Sequence, residues 1–152
     1  MSNISHLPSS ETTTPNIVNG KVPRRPYKEL RPREYLTPDE IERLMTAARG
    51  LGRHGHRDST IILIGYRHAL RVGEITGLRW DMIDLNKTGL IHVTRLKNGV
   101  DSVHPLRGPE LRALRRLKKD YPNSTYVFVS ERGGPMTDSN IRKMIITNCK
   151  AC

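Results

Sequence analysis

The chain has 152 residues, enough for one domain with a hydrophobic core of moderate size. It carries 26 Lys and Arg against 15 Asp and Glu, and the resulting formal charge of +11 favours polyanionic partners such as nucleic acids. The sequence has no run of about 18 apolar residues and no secretory signal at its amino terminus, which argues against membrane-spanning and secreted proteins.

The first 35 residues are predicted to form a disordered, basic leader. Residues 1–22 are rich in Ser, Thr, Asn and Pro and show no apolar period, whereas residues 23–35 form a basic segment interrupted by prolines. This second segment is either an arm that follows a DNA backbone or a solvated linker, and the linker is the favoured interpretation. We expect the ordered domain to span residues 36–152.

A helix is predicted to begin at Pro38. Thr37 and Glu40 have the spacing of a capping box, and proline suits the first helical position between them. An apolar stripe follows at helical spacing, formed by Ile41, Leu44, Met45 and Ala48. Glycines at 50 and 52 end the pattern.

Two more helices are predicted before the first strand. Residues 57–67 contain four aliphatic residues in succession at 61–64, which is too dense for a surface helix and indicates a central position in the core. Replacement of Leu63 by alanine is therefore expected to unfold the domain. A third helix is predicted for residues 71–78, with Val72, Ile75 and Leu78 on one side.

A β-hairpin is predicted for residues 90–106. Asn98-Gly99 favours a type I′ turn, because both central positions of that turn need positive φ. The remaining predicted elements are two helices that begin at Gly108 and Ser139, and a short strand at 126–129. The predicted fold class is α+β, mostly helical with a small antiparallel β-sheet.

Three charged residues are candidates for a phosphate-binding site. Arg71 lies at the expected start of a helix, where unpaired N–H groups and a guanidinium both favour an anion, and Glu74 could hold that guanidinium in place. Lys97, just before the hairpin turn, could present its ammonium to a phosphodiester oxygen as a cation or a proton donor. The alternatives are a surface ion pair and a solubilising lysine, and spacing alone favours these alternatives.

Other polar residues give weaker indications. His104 could face a ligand, but a half-buried and merely hydrogen-bonded histidine is more common at such a position. Cys149 and Cys152 have neither the further ligands of a zinc site nor the strand-to-helix setting of a redox site, so no metal site is predicted. None of the five tyrosines is placed by a neighbouring His, Arg or Ser as an activated nucleophile would be.

Five segments occur together in an order typical of one enzyme family: YLTPDEIERLM, ALRVGEITGLRW, DMIDL, RLKNGVDSVHPL and YVFVSERGGPMT. Through them, residues 36–146 resemble the first half of the catalytic domain of tyrosine recombinases, the phage integrase family. They are most similar to the short members that invert fimbrial promoter DNA. The resemblance implies site-specific recombination of double-stranded DNA, association with other recombinase protomers, and a location in the bacterial cytosol or nucleoid.

The resemblance also implies roles for individual residues. Arg71 would grip the scissile phosphate, and Glu74 would support this region of the site. Lys97 would reach the minor groove and protonate the leaving 5′ oxygen. Apart from the resemblance, Arg95 is predicted to bind DNA together with Arg71 and Lys97. The reaction would need no metal and no cofactor, because a phosphotyrosine link keeps the energy of the phosphodiester.

Two departures from the family pattern limit what is implied. Ala69 stands where the family usually has a glycine before the Leu-Arg pair. The His-x-x-Arg motif and the nucleophilic tyrosine would follow residue 152, so we expect a truncated catalytic domain with salt-sensitive DNA binding and no DNA cleavage. The alternative is a non-catalytic DNA-binding regulatory module. An RNA-associated basic protein is disfavoured, because aromatic residues that could stack on bases make up only 5% of the chain.

Overall fold

Two packed helices begin the part of the chain that this computed structural model describes, residues 35–96 and 99–151. Helix α1 (Pro38–Gly50) starts at the predicted capping box: the N–H of Glu40 donates to Oγ1 of Thr37, and the Glu40 carboxylate accepts from the N–H of Thr37 over 2.8 Å. Its predicted apolar stripe is buried against helix α2 (Gly55–Arg67). The sequence prediction for this helix is confirmed.

Helix α2 is central to the core, but one of its four aliphatic residues is not. Ile61 and Ile64 join the main hydrophobic cluster, and Ile62 packs against α1. Leu63 is only half-buried, so the central position expected for its side chain was wrong. The helix can start close to α1 because its first residue, Gly55, has no Cβ. A Cβ at this position would collide with carbonyl oxygens at the end of α1.

The third helix is shorter than predicted. Helix α3 (Val72–Thr76) has five residues and ends where the N–H of Gly77 donates to the carbonyl oxygen of Gly73. A single 3₁₀ turn (Trp80–Met82) follows and leads into the sheet. The side chains of Ile75 and Leu78 are buried as the apolar period predicted.

The sheet has three antiparallel strands in the order β1-β2-β3, and these are Ile83–Asp84, Leu90–Val93 and Ser102–Pro105. Ile91 on β2 pairs with Ile83 on one side and with His104 on the other. The last paired residues of the hairpin are Val93 and Ser102. The type I′ turn was predicted at Asn98, which lies outside the described residues, and remains a prediction.

Two more helices follow the sheet, α4 (Gly108–Asp120) and α5 (Asp138–Ala151). The strand predicted at 126–129 is wrong: Tyr126 and Val129 each form one isolated bridge, to Arg79 and Pro135 respectively. The side chains between them, Val127 and Phe128, are buried. The apolar pattern of this segment therefore indicates burial and not strand pairing. The α+β fold class is confirmed. No described helix combines the length and apolar character that crossing a membrane requires.

Candidate functional site

A tight turn between α2 and α3 carries Arg71 to its position. The N–H of Ala69 donates to the carbonyl of Tyr66 over 3.4 Å, and the N–H of Leu70 donates to the carbonyl of Gly65 over 3.0 Å. This pair of bonds is a Schellman motif, whose left-handed residue is usually glycine. Ala69 occupies that position with φ 50°, the only positive φ of a non-glycine residue in the described ranges. Arg71 follows as the N-cap residue of α3.

The carboxylate of Glu74 is the centre of the site, and its side chain is 1% exposed. It accepts two hydrogen bonds from Arg71, one from the backbone N–H over 2.9 Å and one from Nη1 over 3.1 Å. It accepts two more from the hairpin, from Nη1 of Arg95 over 2.9 Å and from the N–H of Leu96 over 3.2 Å. Burial alone would raise the pKa of Glu74, but these hydrogen bonds outweigh burial and hold its pKa below the ordinary value. Glu74 is therefore an ionised group that joins α3 to the hairpin.

Arg95 is the inner of the two arginines around Glu74, with a side chain that is 19% exposed. Besides Glu74, its guanidinium donates to the carbonyl oxygens of Ala69 over 3.1 Å and His68 over 3.3 Å. Its backbone N–H donates to Oδ1 of Asp101, across the base of the hairpin loop, over 2.9 Å. Arg95 thus ties the hairpin to the turn that precedes Arg71.

Arg71 is the outer arginine, with a side chain that is 54% exposed. Its Nη1 donates to the carbonyl oxygen of Leu96 over 2.8 Å as well as to Glu74. In the hydrogen bonds between described residues, neither Nε nor Nη2 of Arg71 takes part. A guanidinium held at one nitrogen, with further donors exposed, is suited to bind two oxygens of a phosphate group.

The structure therefore brings together three of the four residues singled out from the sequence: Arg71, Glu74 and Arg95. Lys97 lies outside the described residues, and its convergence with Arg71 stays a prediction. No three His, Cys, Asp or Glu side chains within residues 35–96 and 99–151 are grouped so that they could hold a metal ion.

His104 belongs to a different cluster, which the sequence did not reveal. Its Nδ1 lies 3.2 Å from Nδ1 of His68, and Nε2 of His68 lies 3.0 Å from Oε1 of Glu110. The available signal is weak: His68 directly follows the apolar helix α2, and Glu110 lies in the first turn of α4. A polar residue beside apolar helical positions is a candidate for a buried side chain that requires a partner.

Tyr121 also has a partner that sequence spacing could not show. Its hydroxyl lies 3.1 Å from Nδ1 of His54, which is 67 positions away. Among the hydrogen bonds of the described ranges, none joins a tyrosine hydroxyl to Arg71, Glu74 or Arg95.

Comparison with known proteins adds independent information. Residues 34–151 match the sequence model of the phage integrase family. The type 1 fimbriae regulatory protein FimE of Escherichia coli K12 is 36% identical over 119 residues, which cover 74% of this chain and 59% of that protein. FimB of the same strain is 36% identical over 121 residues, covering 76% of this chain and 60% of that protein. The chain thus spans about three fifths of the length of these relatives.

Solved structures with the same fold are recombinases and integrases. The crystal structure of XerA recombinase superposes with a TM-score of 0.67 at 27% identity, over 88% of this chain and 46% of that chain. A lambda integrase (75–356) dimer bound to a COC′ core site superposes with a TM-score of 0.65 over 86% of this chain and 46% of that chain. At 20% identity, this second likeness concerns the fold alone.

Proposed function

Because the chain belongs to the phage integrase family of tyrosine recombinases, we propose that it supplies the phosphate-gripping half of a site for DNA strand cleavage and rejoining. Its substrate would be double-stranded DNA, and its domain would be the amino-terminal part of a recombinase catalytic domain. The net charge of +11 would draw the polyanion to the protein before any specific contact forms.

The observation that carries this proposal is the state of the Arg71 guanidinium. One nitrogen is fixed by Glu74 and by the carbonyl of Leu96, while the side chain remains 54% exposed. Donors fixed before the substrate arrives stabilise the negative charge that grows on a phosphodiester under attack, because they need no reorganisation at that moment. Arg71 would therefore bind the non-bridging oxygens of the scissile phosphate.

Two supporting roles follow from the same contacts. Glu74 would keep the Arg71 guanidinium oriented, since the ionised carboxylate accepts hydrogen bonds from both the backbone N–H and the side chain of Arg71. Arg95 would act as a second support, because its guanidinium is largely covered and directed at protein acceptors. This geometry favours Arg95 as a positioning residue over the direct DNA contact predicted from the sequence. Lys97 would protonate the leaving 5′ oxygen.

We further propose that the 152-residue polypeptide, assayed by itself, binds DNA without cleaving it. The support is that no described tyrosine hydroxyl is hydrogen-bonded to the cluster of Arg71, Glu74 and Arg95. Its partners would be DNA and further recombinase protomers. Among the solved structures with this fold are a lambda integrase dimer bound to a COC′ core site and a lambda integrase tetramer bound to a Holliday junction.

A titration of a fluorescent DNA duplex at several salt concentrations tests this function. The Arg71→Ala variant should bind about tenfold more weakly, and the slope of log affinity against log salt should fall by about 1. Arg53→Ala is the matched control, because Arg53 is exposed and pairs with an exposed acid, Glu131. This variant should retain the affinity of the wild-type protein. Affinity that ignores salt, or equal behaviour of the two variants, would overturn the proposal.

A covalent-trapping assay on nicked duplexes tests the absence of cleavage. We expect no protein–DNA adduct on a denaturing gel; an adduct would show that the polypeptide contains a working nucleophile. The alternative function, a non-catalytic DNA-binding regulator, predicts that the polypeptide slows recombination by a full-length relative at equimolar concentration. Unchanged recombination would count against that alternative.

A further inference from the structure

A buried histidine belongs to the turn that carries Arg71. The side chain of His68 is 4% exposed, and its two ring nitrogens both face polar groups. Nε2 lies 3.0 Å from Oε1 of Glu110, and Nδ1 lies 3.2 Å from Nδ1 of His104. Both atoms are buried, and neither forms an aligned hydrogen bond with any described residue, so their 3.0 Å approach is a short polar contact and not a hydrogen bond.

Glu110 is a fixed point for this contact. Its side chain is 1% exposed, and its other oxygen accepts from the backbone N–H of Arg107 at the start of α4 over 2.6 Å. A buried carboxylate oxygen is unfavourable without a polar neighbour, so the short contact with Nε2 of His68 favours this position of the ring. The contact thus fastens the end of α2 to the start of α4.

The contact between the two histidines requires one protonated and one unprotonated Nδ1. With the proton of His68 on Nε2, toward Glu110, its Nδ1 accepts from Nδ1–H of His104. Burial lowers the pKa of His68, and this effect outweighs the opposing effect of Glu110. The neutral ring that this arrangement needs therefore prevails at neutral pH.

The backbone of His68 leads from this cluster to the candidate site. Its carbonyl oxygen and that of Ala69 are acceptors for the Arg95 guanidinium, which in turn donates to Glu74. Ala69 has φ 50°, which is unfavourable for a residue with a Cβ, so the turn needs outside anchoring to keep its shape. His68 supplies an anchor on the residue just before Ala69.

We propose that His68 is a positioning residue for the phosphate site. Held between Glu110 and His104, it fixes the turn at residues 68–71 and thereby the direction in which Arg71 offers its exposed donors. This inference rests on the proposed function of Arg71, and it adds a role for three residues that do not touch the phosphate: His68, His104 and Glu110.

The variants that test this inference keep the ring volume or restore the polar contact. His68→Phe removes both contacts of the buried ring. His104→Phe removes only the contact between the histidines, at a half-buried side chain that borders a cavity of about 560 Å³ and so tolerates change. His104→Asn retains a polar atom near the position of Nδ1. His92→Phe, at an exposed position on β2, is the matched control.

The measurement is a double-mutant cycle on duplex affinity at fixed pH and salt, with folding of every variant checked by circular dichroism. We expect His104→Phe to weaken binding about threefold or more, His104→Asn to restore it, and His92→Phe to leave it unchanged. In the Arg71→Ala background, His104→Phe should have no further effect. Equal weakening in both backgrounds, or no weakening in either, would overturn the inference. If His68→Phe does not fold, His104→Phe carries the test.

A readout without DNA separates this inference from the proposed function. The ¹H–¹⁵N signal of Arg71 Nε, recorded in the free protein, should move in His104→Phe and return in His104→Asn. If the wild-type protein does not bind DNA, the proposed function fails. The Arg71 Nε signal of the variants then still tests whether His68 positions the guanidinium. A signal that is the same in all variants would overturn the positioning role even where DNA binding is intact.

Discussion

Arg95 and Glu74 form a nearly dry ion pair between the hairpin and α3. Nη1 of Arg95 lies 2.9 Å from Oε2 of Glu74, and the two side chains are 19% and 1% exposed. The residues are 21 positions apart in the sequence. Because Arg71 donates to the same carboxylate, one buried acid organises both arginines. Removal of its charge should therefore disturb both arginines at once.

Replacing Glu74 with glutamine should destabilise the domain by about 3 kcal/mol, because it leaves Arg95 without its buried counter-charge. Since the folded-state pKa of Glu74 lies below its ordinary value of 4.5, its stabilising effect is fully present above pH 4.5. That effect is lost as pH falls through the folded-state pKa. Urea unfolding at pH 7 and in acid measures both effects. Glu42→Gln, at an exposed position on α1, should change stability by less than about 0.5 kcal/mol.

Replacing Ala69 with glycine should stabilise the domain by about 1 kcal/mol. The φ of 50° is unfavourable for alanine and costs glycine little, and this gain exceeds the extra freedom of glycine in the unfolded chain. Thermal unfolding at neutral pH provides the measurement. Ala47→Gly, inside α1, should have the opposite sign and cost about 1 kcal/mol. A loss of stability in both variants would contradict the role assigned to the turn.

Domain stability should decrease as pH falls below about 6.5, in part because of His68. Burial, and to a smaller extent His104, lower the folded-state pKa of His68 despite Glu110, so the unfolded chain binds the proton first. The stability present above pH 6.5 is then lost as pH falls toward the folded-state pKa. Unfolding free energies from pH 8 to pH 5 should show this slope. His68→Gln should reduce the slope of unfolding free energy against pH, whereas His92→Gln should keep it. Loss of the slope in His92→Gln would contradict the role of His68.

The turn after β1 should open when Asp84 is replaced with alanine. Oδ1 of Asp84 accepts from the N–H groups of Asn86 and Lys87, and Oδ2 accepts from the N–H and hydroxyl of Thr88. These hydrogen bonds hold the pKa of Asp84 well below its ordinary value. Hydrogen exchange at the three amides should accelerate about tenfold in Asp84→Ala. Asp81→Ala, which removes an exposed ion pair with Arg79, should leave those amides unchanged.

Neighbouring positions on α2 should respond very differently to truncation. Ile64→Ala should cost about 3–4 kcal/mol, because the side chain is 0% exposed and its removal leaves a cavity in the main core. Leu63→Ala should cost about 1–2 kcal/mol, since its side chain is only half-buried. Denaturant titrations of the two variants give the comparison. Equal losses would contradict the burial assigned to these residues.

Local signals in the sequence predicted the local structure well. Helix α1 was predicted from Thr37, Glu40 and the apolar period that follows, because all of its determinants lie within thirteen residues. Segment 126–129 was misassigned because strand pairing depends on partners elsewhere in the chain, and Tyr126 and Val129 find different ones.

The same distinction applies to the candidate site. Arg71 and Glu74 are three positions apart, so their pairing could be proposed from spacing. The contacts of Glu74 with Arg95, and of His68 with Glu110, join residues that are distant along the chain, and no short pattern indicates them. The role of Lys97 remains a prediction.

The brevity of α3 bears on the order in which the molecule assembles. An isolated helix shorter than about 12 residues is marginal in water, because nucleation costs more than a few hydrogen bonds return. The five residues of α3 therefore depend on packing against the hairpin, where Arg95 and Leu96 donate to the acid within them. An intermediate that had built its long helices but not its hairpin would present Arg71 as a loose side chain with no organised grip on a polyanion. The contacts that complete this part of the fold are thus the same contacts that orient Arg71 before DNA arrives.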